Sequence, residues 1–260
     1  MAKIHPTAII DPKAELASDV EVGPYSIIGP NVKIGSGTTV GPHCILDGYT
    51  TMGSHNRIFA GAIVGSIPQD LKYKGGKTYL EIGDENIIRE YVTLNPGTDE
   101  GTKTVLGNKN ELMAYVHVAH DCIIGNGVII ANAGTLAGYV TVEDKAVVGG
   151  LSAVHQFVRI GTFSIVGGCS KIVQDVPPYS MVDGHPAKLY TINSVGLRRA
   201  GLSETTRLKL KRAIRILSDQ TISLPHAVEE IRASLDHQTP IAELDRLIEF
   251  IQGSKRGLTR

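Results

Sequence analysis

An aliphatic residue returns at every sixth position from Ile4 to Ile172, through Ile10, Leu16, Val22, Ile28 and onward. Of the 29 positions in that series only Asp70, Gly76 and Glu100 are not apolar. A helix repeats near 3.6 residues and a strand near 2, so neither alone needs a period of six. A parallel β-helix built from hexapeptides does. Each hexad supplies one short strand, and three hexads close a triangular coil. Coils stack at about 4.8 Å, the spacing of hydrogen-bonded strands. Residues 18 apart therefore lie one above another.

The position after the aliphatic residue is often Gly (Gly23, Gly29, Gly35, Gly41, Gly107, Gly125), which we expect to ease the corners. Four positions on, the residue is usually small or β-branched (Val20, Ser26, Thr38, Cys44, Val116, Cys122). Both positions are expected to point inward, giving a prism interior filled by aliphatics and forcing any polar site outside it. Two polar, Gly-rich stretches break the beat, 66–79 (SIPQDLKYKGGKTY) and 95–104 (NPGTDEGTKT). They read as loops leaving the coil, where function often sits, although a solenoid tolerates neutral insertions equally well. After Ile172 the pattern dissolves through QDVPPY. Ser203 fits the N-cap of a helix running to about Leu217, Pro225 opens a second to about Leu235, and Thr239-Pro240 opens a third ended by Gly253. The predicted organisation is a β-helix over 1–190 and a helical domain over 191–260.

With 26 basic and 26 acidic side chains, the chain has no global charge that points to nucleic acid or membrane. No apolar run approaches the length of a membrane span, and the repeat begins by Ile4, too early for a signal peptide. Cys44, Cys122 and Cys169 are odd in number and widely spaced, which implies neither a disulfide framework nor a zinc knuckle. The expectation is a reduced, cytoplasmic protein. One local imbalance stands out. Arg198, Arg199, Arg207, Lys209, Lys211, Arg212 and Arg215 face only Glu204 across the first helix and its lead-in. The run fits a solvated face or a dock for an acidic partner.

His117 and His120 flank inward Val118, so both are expected to face outward. They fit a metal pair, a base with a binding partner, or plain surface. Stacking favours the second reading: His120, Gly138 and Gln156 are 18 apart and form one column. A Gly above a His leaves its amide open to a ligand. A base beside an open amide is the minimum for acyl transfer, one taking the acceptor's proton and the other steadying the oxyanion. Asp121 fits as the group that fixes the His120 tautomer, or as an ordinary corner carboxylate. A smooth prism has no deep pocket, so a second wall must come from another subunit. The column Asn132–Gly150–Gly168 on a different face is Gly-rich and has room for a long chain. These features predict a homotrimer with three clefts between subunits.

The segments QDLKY (Gln69–Tyr73), HVAHDC (His117–Cys122), LAG (Leu136–Gly138), VHQF (Val154–Phe157), VGGCS (Val166–Ser170), QDVPPY (Gln174–Tyr179) and RGLTR (Arg256–Arg260) closely resemble the UDP-N-acetylglucosamine O-acyltransferases of lipid A synthesis. The resemblance spans the whole chain. It implies a left-handed coil, which the period alone does not give. It also implies transfer of an (R)-3-hydroxyacyl chain from acyl carrier protein to the sugar 3-hydroxyl. His120 is then the general base, Asp121 its support and the Gly138 amide the oxyanion hole. Gln69, Asp70, Lys72, His117, His155 and Gln156 match positions around the sugar nucleotide or acyl arm. Asn193 and Arg199 match nucleotide and phosphate contacts, and Gly168 matches the position that limits acyl length. No cofactor or metal is implied, since 4'-phosphopantetheine arrives on the carrier protein. The basic helix then reads as the dock for that protein.

Three departures bear on the acceptor. Tyr139 stands where the best-known members carry His, Val195 and Ala200 replace a Glu and an Arg, and TLNPGT (Thr93–Thr98) replaces IHRGT. Some relatives acylate a 3-amino sugar, and Tyr139 fits either that choice or an alternative hydrogen-bond donor. The later N-acyltransferase of the same pathway carries an extra N-terminal domain that the early start of the hexads argues against. A β-helical carbonic anhydrase places its ligand histidines differently. An ice-binding solenoid would show flat Thr arrays, which are absent from the sequence.

Overall fold

The computed structural model describes residues 2–233 and 241–260. Among the described residues, short strands at each hexad, such as Ile27–Ile28 and Ile45–Leu46, build three sheets of 11, 9 and 8 strands, parallel throughout except for the last strand of the 11-stranded sheet. Successive strands visit the three sheets in turn, so the fold is a left-handed parallel β-helix followed by helices. The aliphatic of each hexad faces the axis: Ile28, Leu46, Leu94, Leu112, Ile130 and Leu136 are all buried. The partner position four residues on is buried too, at Val20, Val32, Cys44, Val116 and Cys122.

The beat survives both interruptions because each adds a whole number of hexads. Strands pair 18 residues apart at first (Arg57 with Thr39). Across the first excursion the offset is 30 (Arg57 with Ile87), and across the second it is 24 (Ile87 with Glu111). It then returns to 18 (Glu111 with Ile129). The excursions lie between strands Ile63–Val64 and Tyr79–Ile82 and between Thr93–Leu94 and Lys103–Leu106. They hold each other: the Gly97 amide donates to the Tyr79 carbonyl and the Lys77 amide to Glu100 Oε2.

Three expectations need correction. The residue that turns each corner is not the Gly but the one two places after it. Tyr25, His43, Asp121, Tyr139 and Phe157 all adopt positive φ, between 57° and 68°. The Gly is required by close approach instead: a Cβ on Gly35 would stand 2.6 Å from the Gly53 carbonyl carbon in the next coil. The interior is also not wholly aliphatic. Asn56, Asn86 and Asn110 form a buried ladder, each passing its side-chain oxygen to the backbone amide of the coil above, ending at Val128. Their Nδ2 groups cap the Gly83, Gly107 and Gly125 carbonyls. Amide side chains suit this inward corner because the turn leaves backbone groups unpaired there, and a buried unpaired group is costly. Finally, the coil continues past Ile172. Val166 pairs with Val182, an offset of 16, so the last turn is two residues short and falls out of phase. Strands Ser180–Gly184 and Ala187–Ile192 then form an antiparallel hairpin.

Four helices follow among the described residues: α1 (Ser194–Arg199), α2 (Glu204–Ser218), α3 (Leu224–Ala233) and α4 (Ala242–Gln252). Ser203 caps α2 as its sequence implies, its Oγ accepting from the Thr206 amide. Gly253 caps the end of α4. Helix α1 is too short for a periodic signal; Asn193 caps it by accepting from the Gly196 amide. Leu235 and Thr239-Pro240, expected at helix ends, lie outside the described residues. The buried faces of α2 (Leu210, Ala213, Ile214, Leu217) and α4 (Leu244, Leu247, Ile248, Phe250, Ile251) extend the core. The C-terminus ties the two parts together. Arg260 donates to the Leu217, Asp219 and Ile222 carbonyls, and the Thr259 amide donates to the Asp175 carbonyl.

Candidate active site

Three corners run the length of the prism, and they differ in how they treat outward backbone amides. On the corner after the 8-stranded sheet, four successive coils each cap the one before. The Ser54 amide donates to Asp84 Oδ1, Asp84 to Asn108, Asn108 to Asn126 and Asn126 to Asp144, all within 2.9 Å. The equivalent residues on the corner after the 9-stranded sheet are His120, Gly138 and Gln156. No described residue accepts a hydrogen bond from the Gly138 amide.

The residue one coil before His120 is Pro96, which has no amide to cap, and the His120 side chain turns to Asp121 instead. Its Nδ1 lies 2.9 Å from Asp121 Oδ2. A carboxylate oxygen accepts, so Nδ1–H is the donor in this contact. The same Asp121 oxygen accepts from the Thr98 amide at 3.1 Å. The first excursion brings Asp70 Oδ2 to 3.5 Å from His120 Nε2, and its cover leaves His120 only 6% exposed. His120 thus faces away from the prism axis as expected yet is buried. A Cβ on Gly138 would stand 2.4 Å from His120 Cε1, so only Gly fits against the ring.

Tyr139 meets the imidazole edge-on at 5.3 Å and stacks on Phe157 at 4.9 Å. Desolvation, then the charges of Asp121 and Asp99, push its phenol pKa up. His117 Nδ1 lies 2.7 Å from Thr93 Oγ1. Burial pushes the His117 pKa down, with His120 adding to the effect. His155 Nδ1 lies 3.1 Å from Arg256 Nη2. The same nitrogen lies 3.1 Å from the Gln156 carbonyl. Gln69 and Lys72 are exposed on the first excursion beside Asp70, whose Oδ1 accepts from the Lys72 amide.

One chain therefore gathers Asp70, His117, His120, Asp121, Gly138, Tyr139, His155 and Gln156 along one corner. It does not gather the rest. Gly168 is exposed on the corner after the 11-stranded sheet, where a Cβ would meet only the Gly150 carbonyl at 3.4 Å. Asn193 sits on the third corner, its Nδ2 donating to the Phe163 carbonyl. Arg199 is exposed at the end of α1. The sequence did not single out Thr93, Thr98 or Arg256 for their contacts. Thr93 was findable, since it lies one coil before His117 once the second excursion's extra hexad is counted. Among the described residues no group of three or more His, Cys, Asp or Glu side chains is arranged to hold a metal ion.

The fold and sequence recur in known proteins. Residues 175–259 match the second domain of UDP N-acetylglucosamine O-acyltransferase, and residues 1–36 and 103–137 match the bacterial transferase hexapeptide model. The chain is 53% identical to the acyl-[acyl-carrier-protein]–UDP-N-acetylglucosamine O-acyltransferase of Myxococcus xanthus, and 49% identical to that of Alkalilimnicola ehrlichii, over the full length of each. LpxA from Acinetobacter baumannii superposes with a TM-score of 0.94 at 44% identity, covering 99% of both chains. The UDP-N-acetylglucosamine acyltransferase of Bacteroides fragilis also reaches 0.94, at 37% identity over 98% of this chain and 99% of that one. The chain is an acyltransferase and belongs to the acyl-[acyl-carrier-protein]–UDP-N-acetylglucosamine O-acyltransferase family.

Proposed function

We propose that the corner bearing His120 transfers an (R)-3-hydroxyacyl chain from acyl carrier protein to the 3-hydroxyl of UDP-N-acetylglucosamine, the first step of lipid A synthesis, in the cytoplasm. The observation that carries this reading is the Gly138 amide, which no described residue caps, held against the His120 ring, whose Nδ1 is engaged by Asp121. His120 Nε2 removes the hydroxyl proton as that oxygen attacks the thioester carbonyl. The carbonyl oxygen gains negative charge beside the Gly138 N–H. The tetrahedral intermediate expels the phosphopantetheine thiolate, which takes the proton back from the imidazolium. Asp121 holds the tautomer and offsets the imidazolium charge. Asp70 stands where the acceptor sugar must approach Nε2 and fits a second sugar O–H or N–H.

The remaining residues fit a homotrimer. Gly168, Asn193 and Arg199 lie on other corners, so a neighbouring chain would bring them to this one. Exposed Tyr25, Tyr91, Tyr115 and Leu151 line the corner after the 11-stranded sheet, an apolar stripe of the kind that packs between subunits. The basic residues of α1 and α2 make no ion pair among the described residues, which suits an acidic carrier protein. An assay with a ladder of hydroxyacyl carrier proteins against UDP-N-acetylglucosamine and its 3-amino analogue tests the substrates. Transfer to the hydroxyl sugar is expected. Exclusive transfer to the amine would replace ester formation by amide formation at the same site.

A further inference from the structure

Three buried side-chain oxygens have no hydrogen-bond partner among the described residues: Asn95 Oδ1, Thr98 Oγ1 and Thr104 Oγ1. Two of them lie on the second excursion, next to the reaction centre. Asn95 is 4% exposed. Its amide donates to the Val118 carbonyl, two residues before His120. Its Nδ2 donates to the Ser66 and Ile67 carbonyls at 3.2 and 3.4 Å, at the root of the excursion that carries Asp70. Flipping the side-chain amide would set an oxygen against those two carbonyls, so the orientation is fixed and Oδ1 is left as the unpaired end. Three residues on, the Thr98 amide donates to the Asp121 oxygen that also takes the His120 proton. One short segment thus grips both carboxylates that face the imidazole, Asp70 through its loop and Asp121 directly. An unpaired buried acceptor is costly, and such groups persist where their geometry serves something else.

We propose that the second excursion positions the reaction centre, with Asn95 as a positioning residue that sets Asp70 against His120 Nε2. The inference rests on the reading of His120 as the base. The test compares Asn95→Ala, Asn95→Ser and Asn95→Asp by steady-state kinetics and melting curves, with Thr104→Val as the control. Thr104→Val removes an unpaired buried oxygen from strand Lys103–Leu106 without touching the centre. Asn95→Ala and Asn95→Ser are expected to raise KM for the sugar nucleotide and cut kcat/KM about tenfold, the scale of one buried hydrogen bond. Asn95→Asp, which sets an acceptor against the two carbonyls, loses at least as much. Thr104→Val is expected to match the parent. Kinetics within twofold of the parent for folded Asn95 variants overturn the proposal, as does an equal loss in Thr104→Val. A His120→Ala enzyme that retains activity instead removes the base on which the proposal stands, a failure separable from the first.

Discussion

Two corners of one prism share a backbone and differ in what they do with it. On the corner of Asp84, Asn108, Asn126 and Asp144, each side chain accepts from the amide of the preceding coil. On the corner of His120, Gly138 and Gln156, the amide of Gly138 stays open. Gln156 stands over Gly138 where Asp144 stands over Asn126, yet lends it no oxygen. A solenoid repeats its turn geometry at every coil, so function enters through side chains that decline the structural task. The capped corner trades four donors for stability, and on the other corner the Gly138 amide is the donor we propose for the oxyanion.

Breaking each corner should give opposite results. Gly138→Ala drives a methyl into the His120 ring and should lower kcat by about 10²–10³, the range for loss of an oxyanion donor's alignment. Asp121→Asn keeps the shape but removes the charge that Nδ1–H faces. Steady-state kcat should fall about 10- to 100-fold, the worth of a charged hydrogen bond. Asp84→Ala, on the capped corner, should leave kcat unchanged and cost about 1 kcal/mol of stability in denaturant melts. A kinetic defect there would erase the distinction between the corners.

The smallest effect concerns pH. His117 is held below the ordinary histidine value of 6.5 because burial disfavours its charged form. Below that pH the unfolded chain takes up a proton that the folded chain resists. The His117 contribution to stability is therefore present above pH 6.5 and fades as pH falls through the folded value. His117→Gln should flatten the acid side of a melting-temperature profile, and an unchanged slope would show that His117 is not responsible.

Much of this fold was legible in sequence because the period of six acts as a coordinate system. It placed His120 under Gly138, and it stayed in phase because both excursions add whole hexads. Asp70, Gly76 and Glu100, the exceptions to the series, fall within those excursions. The period could not say where a loop goes once it leaves the coil, so the approach of Asp70 to Nε2 and of the Thr98 amide to Asp121 were invisible. A two-residue shortfall hid the last coil, since periodic reading has no tolerance for a phase slip. The role of the corner glycines was misread because a sequence shows which residue is small but not which neighbour presses on it. Spacing gave the column that holds the centre, while the grip on its carboxylates depends on aperiodic segments.

The most direct test is the single-turnover rate of acyl transfer by His120→Ala with hydroxyacyl carrier protein and UDP-N-acetylglucosamine. The His120 ring supplies the atoms nearest to a Cβ on Gly138. The rate is expected to fall by about 10²–10⁴, with the fold intact by circular dichroism. Transfer within a few-fold of the parent rate would contradict the assignment of His120 as the base.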